Sequence, residues 1–172
     1  MKRPRIRAAL KGGISNFVKV EKKMNICKPI ENGVITSWYG ERISPITQKK
    51  EYHKGIDIST IGNHDNIPVL IAKAGVVTWI DKTRLYDPDT GKGSFGMVVY
   101  VQLPDKWYCI YPHMESIVTT LKIGDKVEVG QQIGIMGNTG LSVGKHLHYQ
   151  EGMTMGGNGQ TRQPVDIIAL YE

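Results

Sequence analysis

From about residue 30 the chain is a succession of short apolar runs, rich in β-branched and aromatic residues, broken every few positions by Gly, Pro, Asn or Asp. Branched and aromatic side chains fit the half-buried surface of a pleated sheet, and the intervening residues suit turns. The pattern predicts strands over 33–38, 69–72, 75–80, 97–102, 107–111, 126–129, 132–136 and 146–151. Helical spacing is nearly absent. Ile14, Phe17, Val18 and Val20 would line one side of a short, uncapped helix over 14–24. Between two predicted strands, residues 84–94 form a polar loop around the turn signal Asp87-Pro88-Asp89-Thr90-Gly91. No internal repeat is present. The expected fold class is mainly β, a compact antiparallel sheet or sandwich with little helix.

A chain of 172 residues, 40% hydrophobic and 22% charged, can bury one substantial core and suits one domain with an appendage. No apolar run approaches the roughly 18 to 20 residues that a membrane-spanning helix needs. The formal charge of +6 is not general: residues 1–24 hold eight Lys and Arg against Glu21 alone, so the remainder is close to neutral. We therefore expect a basic arm or linker over 1–28 and one domain over 29–172. Clustered cations gain from releasing counterions, so the arm suits an anionic polymer such as teichoic acid, nucleic acid or a lipid surface, or is a solvated linker. The charged opening Met1–Arg7 resembles that of a signal peptide, but Lys11 ends the apolar stretch after Ala8-Ala9-Leu10, and no signal is read. Cys27 and Cys109 make no disulfide framework, and two buried free thiols are expected.

The chemistry is carried by histidine. His146 and His148 are separated by one residue in a predicted strand, so period-2 geometry turns both imidazoles to one face and Leu147 and Tyr149 to the other. Upstream, His53 and Asp57 form a His-x3-Asp pair. Imidazole nitrogen and carboxylate oxygen are ligands that zinc accepts, and three protein ligands leave a fourth position for water, the arrangement of a catalytic site. Two histidines and a carboxylate also suit iron, so the ligand types leave the metal open. Alternation puts Trp107, Cys109, Tyr111 and His113 on one side of a strand, with Pro112 interrupting the last step. His64, in a polar loop, reads as a surface residue. The turn Gly137-Asn138-Thr139-Gly140 lacks a phosphate-binding fingerprint, and Trp38, Trp79 and Trp107 read as core rather than a sugar platform.

Together these pieces resemble one family. Tyr39-Gly40-Glu41-Arg42-Ile43-Ser44-Pro45 followed by His53-Lys54-Gly55-Ile56-Asp57 looks like the opening block of the M23 metallopeptidases of the lysostaphin type. Pro68–Ala72 with Ala74-Gly75-Val76-Val77, then Tyr111-Pro112-His113-Met114, Gly137-Asn138-Thr139-Gly140 and His146-Leu147-His148 follow in that family's order, from about Gly33 to Asp166. The resemblance implies a lysostaphin-like (duplicated hybrid motif) fold and an endopeptidase of bacterial peptidoglycan with zinc-activated water as nucleophile. It implies His53, Asp57 and His148 as zinc ligands, and His113 and His146 as the pair that handles the proton and the oxyanion. The implied partners are peptide stems or cross-bridges of peptidoglycan, with an anionic wall polymer for the arm and no specific nucleic acid. The sequence departs from the family pattern at Met114 and Tyr149-Gln150, and its longer loop 84–94 bears on the shape of the substrate groove; none of these removes a metal ligand. The competing readings are a non-catalytic wall-binding or hydrolase-activating module and a structural phage tail component. Retention of all five site residues favours catalysis. Action at the cell wall is expected, extracellular or from a phage particle.

Overall fold

The computed structural model describes residues 25–155 and 159–172. The helix predicted over 14–24 and most of the basic arm lie outside the described residues. The regular structure described is nearly all antiparallel strand, as the apolar pattern predicts, with one four-residue helix.

The strands are β1 (Gly33–Ser37), β2 (Gly40–Ile43), β3 (Lys50–His53), β4 (Ile56–Thr60), β5 (Pro68–Leu70), β6 (Gly75–Asp81) and β7 (Met97–Gln102). They continue with β8 (Tyr108–Met114), β9 (Ser116–Ile117), β10 (Lys126–Val127), β11 (Gln132–Ile135), β12 (Leu147–Gly152) and β13 (Thr161–Arg162), followed by helix α1 (Val165–Ile168). One large sheet runs β1-β4-β12-β8-β7-β6-β10, with β13 joined to β12. A small sheet runs β5-β11-β9, and β2 and β3 form a separate hairpin.

Alternation along the large sheet separates two environments. Ile56 and Ile58, Leu147 and Tyr149, Cys109 and Tyr111, and Val99 and Val101 all face the core, where Val69, Ile117 and Ile133 of the small sheet close over them. Each such side chain contributes roughly 1.5 to 3 kcal/mol through burial. The other face carries Asp57 and His148 at one end and a smaller cluster of Val98, Tyr100 and Ile110 beside them. The site therefore stands on the side of the sheet away from its main core.

Strand β7 matches its predicted range, β1, β6 and β11 differ from theirs by one residue at one end, and β12 is shifted by one residue at both. The hydrophobic pattern misses β2 and β3 because Glu41, Arg42, Lys50 and Glu51 leave them without an apolar face. It also misses β4, where polar Asp57, Ser59 and Thr60 are buried by their neighbours rather than by their own apolarity. Helix α1 escapes because it is a single turn.

Two bulges decide which way key side chains point. In β8, Met114 pairs with Met97 and Tyr111 with Val99, so Pro112 and His113 together oppose Val98 alone. His113 takes up the extra residue with φ of 62°. This corrects the expected alternation: Tyr111 enters the core, whereas His113 turns to the opposite face. In β6, Val77 pairs with Val101 and Trp79 with Tyr100, so Thr78 is the extra residue. Val77 stays in the core and Trp79 turns outward.

The tryptophan expectation is thereby overturned at two of three positions. Trp79 is 49% exposed and Trp38, beyond the end of β1, is 53% exposed. Trp107 packs against the core edge under the Arg162 guanidinium, 4.4 Å from its ring centre. Both cysteines are free thiols, but only Cys109 is buried; Cys27 is half-buried, with its thiol donating to the Ile71 carbonyl at 3.2 Å. Burial and the neighbouring Glu151 carboxylate push the Cys109 thiol up to about 12, which keeps it protonated and inert. Among the described residues no helix is long and apolar enough to cross a membrane.

Candidate metal centre

β4 and β12 are neighbours, and their register sets His148 directly across from Asp57. Because Ile56, Ile58, Leu147 and Tyr149 take the core side, both polar side chains fall on the outer face. His53 ends β3 and reaches the same point across the turn through Gly55. A side chain at Gly55 would run into the Tyr149 carbonyl at 2.4 Å and the His148 Nε2 at 2.7 Å. Only glycine lets this turn pass the imidazole without displacing it.

His53, Asp57 and His148 are the described residues able to hold a metal ion. His53 Nε2 is 2.9 Å from His148 Nδ1 and 3.1 Å from Asp57 Oδ1, and His148 Nδ1 is 2.9 Å from the same oxygen. The other ring nitrogens are committed as donors, His53 Nδ1 to the Trp38 carbonyl at 2.8 Å and His148 Nε2 to the Gln150 side-chain carbonyl at 3.2 Å. The two nitrogens that face each other are therefore acceptors in the neutral rings. Three lone pairs crowding one point call for a positive charge among them. A small divalent cation with nitrogen and oxygen ligands meets that demand, and the buried donor set fits zinc.

The surrounding shell orients these donors. Arg42 Nη1 donates to Asp57 Oδ2 at 2.8 Å and to Ser37 Oγ at 2.7 Å, while its Nε pairs with Glu51 at 2.8 Å. Arg42 lies within the quoted Tyr39–Pro45 block, yet its contact with Asp57 had no signature in the sequence. The contacts of the Trp38 carbonyl with His53 and of the Gln150 amide with His148 have no signature in the sequence either.

His113 and His146 stand beside the trio, their rings centred 5.1 Å apart. His113 Nδ1 donates to the Thr139 carbonyl and His146 Nδ1 to the Gly144 carbonyl, each at 2.8 Å. Each ring is thus fixed in the tautomer that leaves Nε2 as an acceptor. His146 Nε2 is 3.6 Å from Asp57 Oδ1. Burial, with His146 and His148 nearby, pulls the His113 imidazole down to about 3; burial also lowers His146. The structure thus brings all five predicted residues together, and four of them, Asp57, His113, His146 and His148, line a groove of about 320 Å³ with Pro45, Ile46, Leu141 and Val143. His64 is not among them. It is half-buried rather than a surface residue, with its Nδ1 3.1 Å from the Thr60 hydroxyl.

The family model for Peptidase family M23 matches residues 51–164. The chain belongs to peptidase family M23. M23 peptidases are zinc metallopeptidases, and the His53–Asp57–His148 group is the one able to take such an ion. The chain is 34% identical to the peptidoglycan DD-endopeptidase ShyA of Vibrio cholerae serotype O1 over 110 residues, 63% of this chain and 22% of that one. It spans about a quarter of the length of the curated M23 relatives it matches. Among solved structures, a mutant catalytic domain of the prophage-encoded M23 protein EnpA from Enterococcus faecalis is 30% identical, with a TM-score of 0.61 over 77% of this chain and 89% of that one. The catalytic domain of lysostaphin from Staphylococcus simulans, 24% identical with a TM-score of 0.60, shares the fold over 77% of this chain and 89% of its own.

Proposed function

We propose that the chain is a zinc-dependent endopeptidase that hydrolyses peptide bonds of bacterial peptidoglycan. The observation that carries this is the convergence of His53, Asp57 and His148 on one point at the end of an open groove, with two further imidazoles facing it. The name of ShyA, a peptidoglycan DD-endopeptidase, and that of the glycyl-glycine endopeptidase ALE-1 of Staphylococcus capitis support the substrate class.

In this reading His53, Asp57 and His148 hold the ion. When bound, zinc supplies a Lewis acid that makes water nucleophilic near neutral pH and polarises the scissile carbonyl. The acceptor Nε2 of His113 or His146 takes the proton that the attacking water loses, because each ring is anchored through Nδ1 and is neutral. Once protonated, the ring donates through Nε2, either to the developing oxyanion or to the departing amine. Arg42 orients Asp57 through its far oxygen. The groove walls at Ile46 and Leu141 hold the peptide extended past these groups.

Residues 29–172 form the peptidase domain in this proposal, and the basic residues of 1–28 an arm that holds the enzyme to an anionic wall polymer. Action is at the cell wall, and delivery by a phage particle is one route to it. The test is incubation of purified chain with peptidoglycan sacculi, with and without chelator. Chelator-sensitive clearing with release of new amino termini and no new reducing sugar ends is the expected result. Zinc-loaded protein that leaves sacculi of several cross-link types intact would refute it.

A further inference from the structure

The bulge that turns His113 out of the core has a counterpart in the next strand pair. In β6 the extra residue Thr78 turns Trp79 onto the same face of the large sheet, directly opposite Tyr100. Asp81, two residues further along and paired with Val98, shares that face. Bulges that re-aim a side chain are built features, and this one exposes an indole that regular pairing would bury.

Trp79, Asp81, Phe95 and Tyr100 line a cleft of about 430 Å³, with Val98 in its floor. The Phe95 and Tyr100 rings pack with centres 6.4 Å apart. Ser94 and Phe95 also line the space beside His113 and His148, so they form a sill between the catalytic groove and the aromatic cleft. The aromatic cleft and the space beside the histidines thus share Ser94 and Phe95 as a common border. Gly93 and Ser94, at the end of the long loop 84–94, make the near wall.

We infer that this cleft is a saccharide subsite that holds the glycan strand attached to the peptide being cut. The inference rests on the peptidoglycan reading above. The exposed Trp79 indole, backed by the Phe95 and Tyr100 rings, suits the apolar C–H face of a pyranose, whose hydroxyls then reach the Asp81 carboxylate. The Asp81 carboxylate, one oxygen of which accepts from the Thr83 N–H at 2.8 Å, keeps further acceptor capacity for sugar hydroxyls. The same negative charge opposes the carboxylates of a peptide stem and leaves a neutral amino sugar unopposed.

The test compares zinc-loaded wild type, Trp79→Ala and Asp81→Asn on a cross-linked muropeptide carrying its disaccharides and on the same peptide stripped of sugar. Loss of the indole platform raises KM for the sugar-bearing substrate about tenfold and leaves the sugar-free peptide unchanged. Asp81→Asn moves the same constant in the same direction by less. Equal effects on both substrates, or none on either, overturn the proposal. Separately, metal-free protein is titrated with the tetrasaccharide of β-1,4-linked N-acetylglucosamine while the Trp79 indole N–H resonance is followed. A saturable shift of that resonance supports the subsite, and no shift at millimolar sugar overturns it. Cleavage of neither substrate sinks the peptidase reading, and the titration then decides the subsite by itself.

Discussion

His148 pairs across β12 and β4 with Asp57, and its Nδ1 lies 2.9 Å from the carboxylate Oδ1. Rigid neighbouring strands thus carry two of the three donors, and the third, His53, is delivered by a glycine turn. A site built on strands holds its geometry before the ion arrives. Asp57→Ala removes one donor and leaves two imidazoles that no longer neutralise the cation. We expect zinc content to fall from about one per chain to near zero, with loss of activity. Zinc at a hundredfold excess over its dissociation constant stabilises the wild type by about 2.7 kcal/mol. A thermal-shift assay should register that gain in the wild type and none in the variant.

Arg42 holds the far oxygen of the same carboxylate and is itself held by Glu51 and Ser37. Arg42→Met keeps the stem and removes the donors. Loss of such a supporting contact lowers metal affinity about 10- to 100-fold. Competition with a chromophoric chelator reads this directly, and unchanged affinity would remove Arg42 from the orientation of Asp57.

His113 touches none of the three donors within hydrogen-bonding distance, and its Nδ1 is committed to Thr139. His113→Ala should therefore retain zinc while kcat falls about 10²- to 10⁴-fold, the usual worth of a positioned acid–base group. Elemental analysis and steady-state rates on one preparation separate the two effects. Full activity with zinc retained would sink the assignment.

Gln150 stands beneath His148, where its carbonyl accepts the ring N–H, and its amide nitrogen is the one buried side-chain polar atom without a partner among the described residues. A carboxylate at this position accepts that N–H more strongly and makes the imidazole a better ligand. Gln150→Glu should bind zinc about tenfold more tightly, while Gln150→Leu binds it more weakly. The metal-free Glu variant should melt below the wild type, because burying the added charge costs more than one hydrogen bond from a neutral imidazole returns. Calorimetry of metal-free and zinc-loaded forms gives both numbers.

Away from the site, the buried Glu151 receives Lys73 and Arg162, each at 2.6 Å, and Lys73 also pairs with Asp166 at 2.7 Å. These contacts tie β12 to β13 and α1. Lys73→Met leaves a buried carboxylate short of one partner and should cost about 3 kcal/mol, read from the urea midpoint, with zinc binding intact. Burial lowers the Lys73 ammonium, but Glu151 and Asp166 outweigh it and raise the pKa above its ordinary value. The contribution is accordingly full below the unfolded lysine value of about 10.4 and is lost as pH rises through the higher folded value. On the alkaline side the wild type and Lys73→Met should therefore converge in stability only above the folded Lys73 value.

The amino-acid order by itself determined the β class, the main strands and the five residues of the candidate site. Apolar alternation and turn residues act locally, and the spaced histidines with Asp57 carry their chemistry in their identities. What it did not determine depended on neighbours distant in the chain. The β2–β3 hairpin has no apolar face to announce it, and Arg42 acquires its partner only when that hairpin folds against β4. The Trp38 carbonyl and the Gln150 amide orient histidines through contacts that no side-chain pattern encodes. Alternation assigns Tyr111 and His113 to one face, and Val77 and Trp79 likewise. Tertiary structure reversed both assignments, because each strand accommodates one residue more than its partner, and a single extra residue in a period of two moves every later side chain to the other face.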